Sequence, residues 1–263
     1  MIKMGVCRGI EDAQIAYEAG FDYIECGFSQ TMSMPRSEFD EWKRRMLDQP
    51  IRCEAMNGML PGSFQLTGPD ADLAPVREFL KEAFDRAAEI SLPVVVFGSS
   101  GARNIPVDDA GNITFPMEKA LDQVAEYLWM AGELAKPCGV TIAIEPLRDK
   151  ECNIIRRVSE GADMARRVGH PNVCLLADGF HMAEMNESAQ SIVDAGSALM
   201  RHCHTANPDG RTYPRPSDAW DYKPFFDALK SIGYQGGVSV EAGCDDFAAC
   251  ARLAFEVLDP LRK

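Results

Sequence analysis

Residues 139–178 read GVTIAIEPLRDKECNIIRRVSEGADMARRVGHPNVCLLAD. A short apolar run from Val140 to Glu145 is followed by a polar loop and then by a helical pattern over Arg156–Gly169. A second apolar run, Asn172–Asp178, closes the stretch. Glycine just past the last helical residue, here Gly169, is a common helix stop. The stretch is therefore one strand–helix–strand unit, and both of its strands end in a carboxylate, Glu145 and Asp178.

Outward in both directions the same unit repeats. Upstream lie IKMGVC from Ile2, DYIECG from Asp22, IRCEAM from Ile51 and PVVVFG from Pro93; downstream lie LMRHCHTA from Leu199 and GVSVE from Gly237. Helical patterns fill the gaps at Glu11–Gly20, Arg36–Asp48, Ala74–Ile90, Met117–Cys138, Ser188–Ala198, Asp221–Gly233 and Asp245–Leu258. Strands alternating with helices call for a parallel sheet. Eight of each in 263 residues predict an α/β protein built as a single (β/α)8 TIM barrel, one domain over residues 1–263. A doubly wound sheet would show fewer units and a Gly-rich first turn, which this chain lacks. The long loops Asn57–Leu73, Gly98–Pro116 and Asn207–Ala219 all leave C-terminal strand ends, the rim on which barrel active sites are built.

Composition narrows the function. Hydrophobic residues make up 46% and charged residues 25%, ordinary values for a packed domain. No apolar run approaches membrane-span length, and the start, MIKMGVCRGIEDA, lacks the apolar region of a signal peptide. Nine cysteines with scattered spacing and no CxxC pair read as reduced thiols, so the cytoplasm is the expected compartment. Lys+Arg total 27 against 40 Asp+Glu, a net charge of −13, which argues against nucleic acid as a partner.

Strands 5 to 8 each end in a potential metal ligand: Glu145, Asp178, His204 and Glu241. Residues i and i+2 share a strand face. Placing Glu145 inside the barrel turns Ile144 and Ile142 toward the helices, and the same parity holds for Asp178 over Ala177 and Leu175 and for Glu241 over Val240 and Val238. Three carboxylates and one imidazole on a single rim would repel one another without a cation. Three oxygen donors and one nitrogen suit one divalent cation per chain, Mn²⁺ first, with Mg²⁺ or Co²⁺ as alternatives.

Other polar residues surround these four. His181 follows Asp178 by three and can reach a ligand; Glu151 follows Glu145 by six and can hydrogen-bond a polyol; Arg211 follows His204 by seven and can balance an oxyanion. The plainer reading is a solvated loop residue for Glu151 and Arg211 and a solvated helix-start histidine for His181. His202 shares the inward face with His204, one layer deeper, as a hydrogen-bonding partner or a core histidine. Glu25 and Glu54, near the ends of strands 2 and 3, either line the pocket or solvate the barrel mouth. Arg103, Arg148, Arg211 and Arg215 are candidates to bind a phosphate or to offset an acidic rim, and His170 reads as a helix end.

Taken together, EPLRDKECN, LLADGFHM, HCHTANPDGR and SVEAG resemble the xylose-isomerase-like barrel superfamily, and within it the sugar isomerases and epimerases, the ketose 3-epimerases and hydroxypyruvate isomerases among them. The resemblance runs over nearly the whole chain and is strongest from Gly139 to Gly243. It implies that Glu145, Asp178, His204 and Glu241 are the metal ligands, that Glu145 and Glu241 also carry protons, and that Glu151, His181 and Arg211 contact the substrate's carbonyl end. Asn207 and Asp209 depart from the aspartate that usually follows the metal histidine soon after, and YPRPSDAWDY departs from the family's usual turn. These departures bear on the choice of substrate and leave the metal set untouched.

The resulting expectation is a metal-dependent ketose isomerase or epimerase that moves a proton next to a carbonyl through an enediolate. A metal-dependent lyase or dehydratase acting on a cyclic polyol such as an inosose is the alternative within catalysis, and a non-catalytic metal-binding barrel is the alternative outside it. A trinuclear DNA-repair site would need more histidines than remain once His204 and His181 are placed, and the net charge opposes DNA. The expected partner is a small sugar or polyol, with no nucleic acid and no membrane; self-association as a homodimer or homotetramer is compatible with the barrel class.

Overall fold

The computed structural model describes residues 1–263. Eight parallel strands close into a barrel in sequence order: β1 Lys3–Cys7, β2 Tyr23–Gly27, β3 Arg52–Asn57, β4 Val94–Phe97, β5 Thr141–Ile144, β6 Val173–Asp178, β7 Met200–Thr205 and β8 Gly237–Val240, with β8 pairing back onto β1. Every strand lies within one residue of its expected bounds. The outer ring comprises helices Ala13–Ala19, Arg36–Leu47, Leu73–Glu89, Met117–Ala135, Val158–Val168, Gln190–Ala195, Lys223–Ser231 and Phe247–Leu258. The sixth is shorter than expected. Ala135 runs into a 3-10 turn at Lys136–Cys138, because Pro137 offers no N–H to continue the α-helix.

Side-chain parity sorts the core into two compartments. Tyr23, Ala55, Val94, Val96, Ala143 and Leu176 pack inside the barrel. Ile142, Ile144, Leu175, Ala177, Val238 and Val240 face the helices within a larger cluster. Burying each such aliphatic side chain contributes about 1.5–3 kcal/mol, so register is strongly specified: a slip of one residue would exchange the two faces.

Two bulges adjust that register. Between β2 and β3, Ile24 pairs with Cys53 and Glu25 with Ala55, leaving Glu54 as the extra residue. Between β6 and β7, Leu175 pairs with Met200 and Leu176 with His202, leaving Arg201 extra. A bulge re-aims the side chains around it. Both extra residues join Lys3 around a small cavity at the N-terminal mouth of the barrel. Three short helices at the opposite rim escaped the sequence reading: Phe28–Met32, Ser100–Arg103 and Gly179–Glu184.

Candidate functional site

Glu145 and Glu241 stand one residue beyond β5 and β8, Asp178 closes β6, and His204 lies near the end of β7. Each offers one donor atom, and these atoms lie within 4.8 Å of one another. His204 Nδ1 is 3.0 Å from Glu145 Oε1 and 3.4 Å from Glu241 Oε2. His204, Asp178 and Glu145 are buried, and Glu241 is half-buried. The four residues singled out by spacing are thus brought to one point by parity and barrel closure.

Neighbouring residues hold the carboxylates in place. Asn57 Nδ2 donates to Glu241 Oε1 at 3.0 Å, and Arg211 Nη2 donates to Glu241 Oε2 at 2.5 Å. The Phe180 N–H donates to Asp178 Oδ1 at 2.8 Å, capping the short helix that carries His181. Gly98, just past β4, leaves room for Glu145: a Cβ there would come within 2.5 Å of Glu145 Oε2. Sequence reasoning missed Asn57 and Gly98, although Asn57 shares the inward face of β3 with Ala55.

Two buried atoms at the centre lack any hydrogen bond, Asp178 Oδ2 and His181 Nε2, and they lie 3.4 Å apart. An unsatisfied buried polar group costs about 1–3 kcal/mol. Three carboxylate donors, one imidazole and an unpartnered carboxylate oxygen at their centre fit a hard divalent cation.

The electrostatics agree. Burial, with Glu145 and Glu241 nearby, pushes the Asp178 carboxyl up to about 7, against the pull of His204 and Arg211. Burial and Glu241 likewise raise Glu145, despite His204. At Glu241 burial acts upward too, but His204 and Arg211 outweigh it and hold the carboxyl at about 2. His204 is raised well above its ordinary value: burial opposes the charge, yet Glu25, Glu241 and Glu145 prevail. Without a cation, protons take up part of the negative charge. His181 is the converse case, lowered to about 3 by burial and Arg211, and is therefore neutral. Cys7 shares a second cluster with Glu25 and His204, but burial and Glu25 push its thiol well up, so it is protonated and a poor ligand.

Arg211 reaches the site through a strained loop. Its φ is 49°, unusual for a bulky residue. Hydrogen bonds Asn207 N–H to Thr212 O and Gly243 N–H to Arg211 O tie the loop to the segment after β8. The guanidinium lies 4.5 Å from the Phe180 ring centre. Glu151 accepts from Arg148 Nε at 2.6 Å and sits 3.7 Å from Arg211 Nη1, at the rim rather than the centre. His181 Nδ1 accepts the Arg148 N–H at 3.3 Å. His202 reaches His204 through Glu25, whose two oxygens lie 2.7 Å and 2.9 Å from the respective Nε2 atoms.

Several expectations change. Glu54 pairs with Lys3 at 2.5 Å at the far mouth, because the bulge removes it from the inward alternation. Arg103 is fully buried and donates to the carbonyls of Phe97, Glu145 and Ile155, so it is a clamp under the rim and has no access to a phosphate. Arg148 is paired with Glu151 and Glu184, and Arg215 is exposed. His170 does more than end a helix: its Nε2 bonds Glu133 at 2.9 Å and its Nδ1 accepts from Asn172 N–H, tying helix Met117–Ala135 to the turn before β6.

Comparison with known proteins agrees with this fold. Residues 13–261 match the family described as xylose isomerase-like TIM barrel. A D-psicose 3-epimerase of Ruminiclostridium cellulolyticum is 25% identical over 226 residues, 84% of this chain and 74% of that protein. An L-ribulose 3-epimerase of Methylomonas sp. is 26% identical over 258 residues, 93% of this chain and 78% of that protein. Among solved structures, the D-psicose 3-epimerase of Clostridium cellulolyticum with D-tagatose superposes with a TM-score of 0.83 at 22% identity, over 99% of this chain and 98% of that one.

Proposed function

The chain belongs to the xylose isomerase-like TIM-barrel family, and from that premise we propose that it is a divalent-cation-dependent ketose epimerase or isomerase. One observation carries the reading: four donors converge within 4.8 Å, and Asp178 Oδ2 among them is buried and accepts no hydrogen bond. Glu145, Asp178, His204 and Glu241 are the residues that would hold the cation, one per chain. Mn²⁺ suits the donor set best, with Mg²⁺ or Co²⁺ as alternatives. When bound, such a cation supplies Lewis acidity toward oxygens on which negative charge develops.

The chain's own residues do the rest. Glu145 and Glu241 come from strands separated by two others and so approach a substrate from different sides. One carboxylate removes the proton from the carbon beside the carbonyl, and the other returns a proton to the opposite face, inverting that carbon. Return to the adjacent carbon by a single carboxylate would give isomerisation. In this reading Arg211 and neutral His181 hydrogen-bond the developing oxyanion, and Glu151 at the rim binds hydroxyls. The 3-epimerases among the relatives favour a free ketose as substrate. Nine free thiols suit a reducing compartment, which we take to be the cytoplasm.

The test is a panel of unphosphorylated ketoses and inososes incubated in D₂O with chelator-stripped protein, with and without Mn²⁺, and read by NMR and mass. The expected result is Mn²⁺-dependent deuterium incorporation next to the carbonyl, with the product retaining all its heavy atoms. A product that has lost water would favour the cyclic-polyol lyase. Stoichiometric Mn²⁺ binding without exchange on any sugar or inosose would favour a non-catalytic barrel.

A further inference from the structure

Beneath the four donors lies a carboxylate that the proposed reaction does not use. Glu25, in β2, is 1% exposed, and its ion-pair partners are both imidazoles. Oε1 is 2.9 Å from His204 Nε2 and Oε2 is 2.7 Å from His202 Nε2. An ionised carboxylate only accepts, so both Nε2 atoms carry hydrogen. In a neutral His204 this leaves the lone pair on Nδ1, the nitrogen that faces Glu145 and Glu241. His202 is itself anchored: Ser239 Oγ lies 3.5 Å from its Nε2 and hydrogen-bonds Tyr23 Oη at 2.9 Å. The Tyr23 ring occupies space left by Gly5 and Gly237, where an added Cβ would come within 2.3 Å and 2.4 Å of it. A continuous polar chain thus runs up the barrel lumen and ends on His204.

We propose that Glu25 is a positioning residue: held by His202, it selects the His204 tautomer whose Nδ1 lone pair faces the carboxylate cluster, and so sets the cation affinity of that cluster. The inference rests on the metal reading of the site. Partners of this kind typically change metal affinity about 10–100-fold.

The test is calorimetric titration of chelator-stripped protein with Mn²⁺. Glu25→Gln retains the shape, but only one of its two terminal atoms can accept a hydrogen, so affinity is expected to fall about 10–100-fold. His202→Gln can present its amide N–H where Nε2 stood and is expected to keep wild-type affinity, whereas His202→Leu, with no donor, shares the loss. Wild-type protein with no Mn²⁺ affinity overturns the metal reading and this inference together. Unchanged affinity in Glu25→Gln overturns this inference alone. A buried substitution can fail to fold, so the wild type carries an independent readout. In Mg²⁺-saturated, ¹⁵N-histidine-labelled protein, long-range ¹H–¹⁵N spectra should show His204 protonated at Nε2; protonation at Nδ1 overturns the assignment.

Discussion

Glu145 and Glu241 occupy equivalent places on their strands but are held by different means. Glu241 is fixed by donors, Asn57 and Arg211. Glu145 is fixed by His204 and by the space that Gly98 leaves. Replacing either glutamate with glutamine keeps the volume and removes the base, so turnover is expected to fall by about 10²–10⁴-fold, with circular dichroism confirming an intact fold. Wild-type turnover in either variant would overturn the two-glutamate assignment. Gly98→Ala leaves both carboxylates in the sequence but crowds one of them. Its methyl needs the place of Glu145 Oε2, and a displacement of about 1 Å can cost about 10²-fold. Loss of kcat without loss of melting temperature is the expected signature.

At the scale of elements, the rim is braced from beneath. The short helix Ser100–Arg103 delivers Arg103 under the loop that links Glu145 to Glu151, where its guanidinium binds carbonyls of Phe97, Glu145 and Ile155 and contacts Cys152 Sγ at 3.3 Å. Ile155, one of these acceptors, has a φ of 56°, strained for a β-branched residue. Arg103→Met would remove the donor that ties Glu145 O to Phe97 O and Ile155 O, the last two of which also accept backbone N–H groups, and is expected to destabilise the protein by about 1–3 kcal/mol in urea unfolding. Its effect on activity should follow from the slackened loop. Unchanged stability would show that the clamp is dispensable. Strands and helices were readable because hydrophobic parity and glycine stops are local signals. The rim helices were not, because each is a turn or so long and is held by contacts made elsewhere, such as Arg103 under the loop.

For the whole molecule, the net charge of −13 has a local counterpart in the carboxylates gathered around one histidine. Asp178 is raised to about 7 and His204 well above its ordinary value. A group whose folded pKa is raised binds more protons folded than unfolded, so stability is lost as pH rises toward that value. The cation-free protein is therefore expected to melt at lower temperature at pH 8 than at pH 5. The depressed carboxyl of Glu241, at about 2, acts only below that window. A cation must displace the Asp178 proton, so its affinity should rise with pH through about 7. Mn²⁺ at about 100 times its Kd would add about 2.7 kcal/mol, and the rise in melting temperature should be larger at pH 8 than at pH 5.5. An equal rise at both values would contradict this linkage.

The amino-acid pattern by itself determined the barrel, its strand order and the four residues that meet at its rim, because alternation and one carboxylate or imidazole per strand end are local and periodic. It also named Arg211, His181 and Glu151 as neighbours, without ranking their distance from the centre. Only the tertiary structure decided the fate of Glu25 and Glu54. Alternation from Tyr23 points Glu25 into the lumen, but only closure sets it between two imidazoles, and a bulge in β3, invisible to a period-two count, leaves Glu54 at the opposite mouth. It likewise decided that Arg103 lies beneath the site and Asn57 within it. Those outcomes depend on which strands become neighbours when the sheet closes, and closure is a property of the assembled barrel that no single segment encodes.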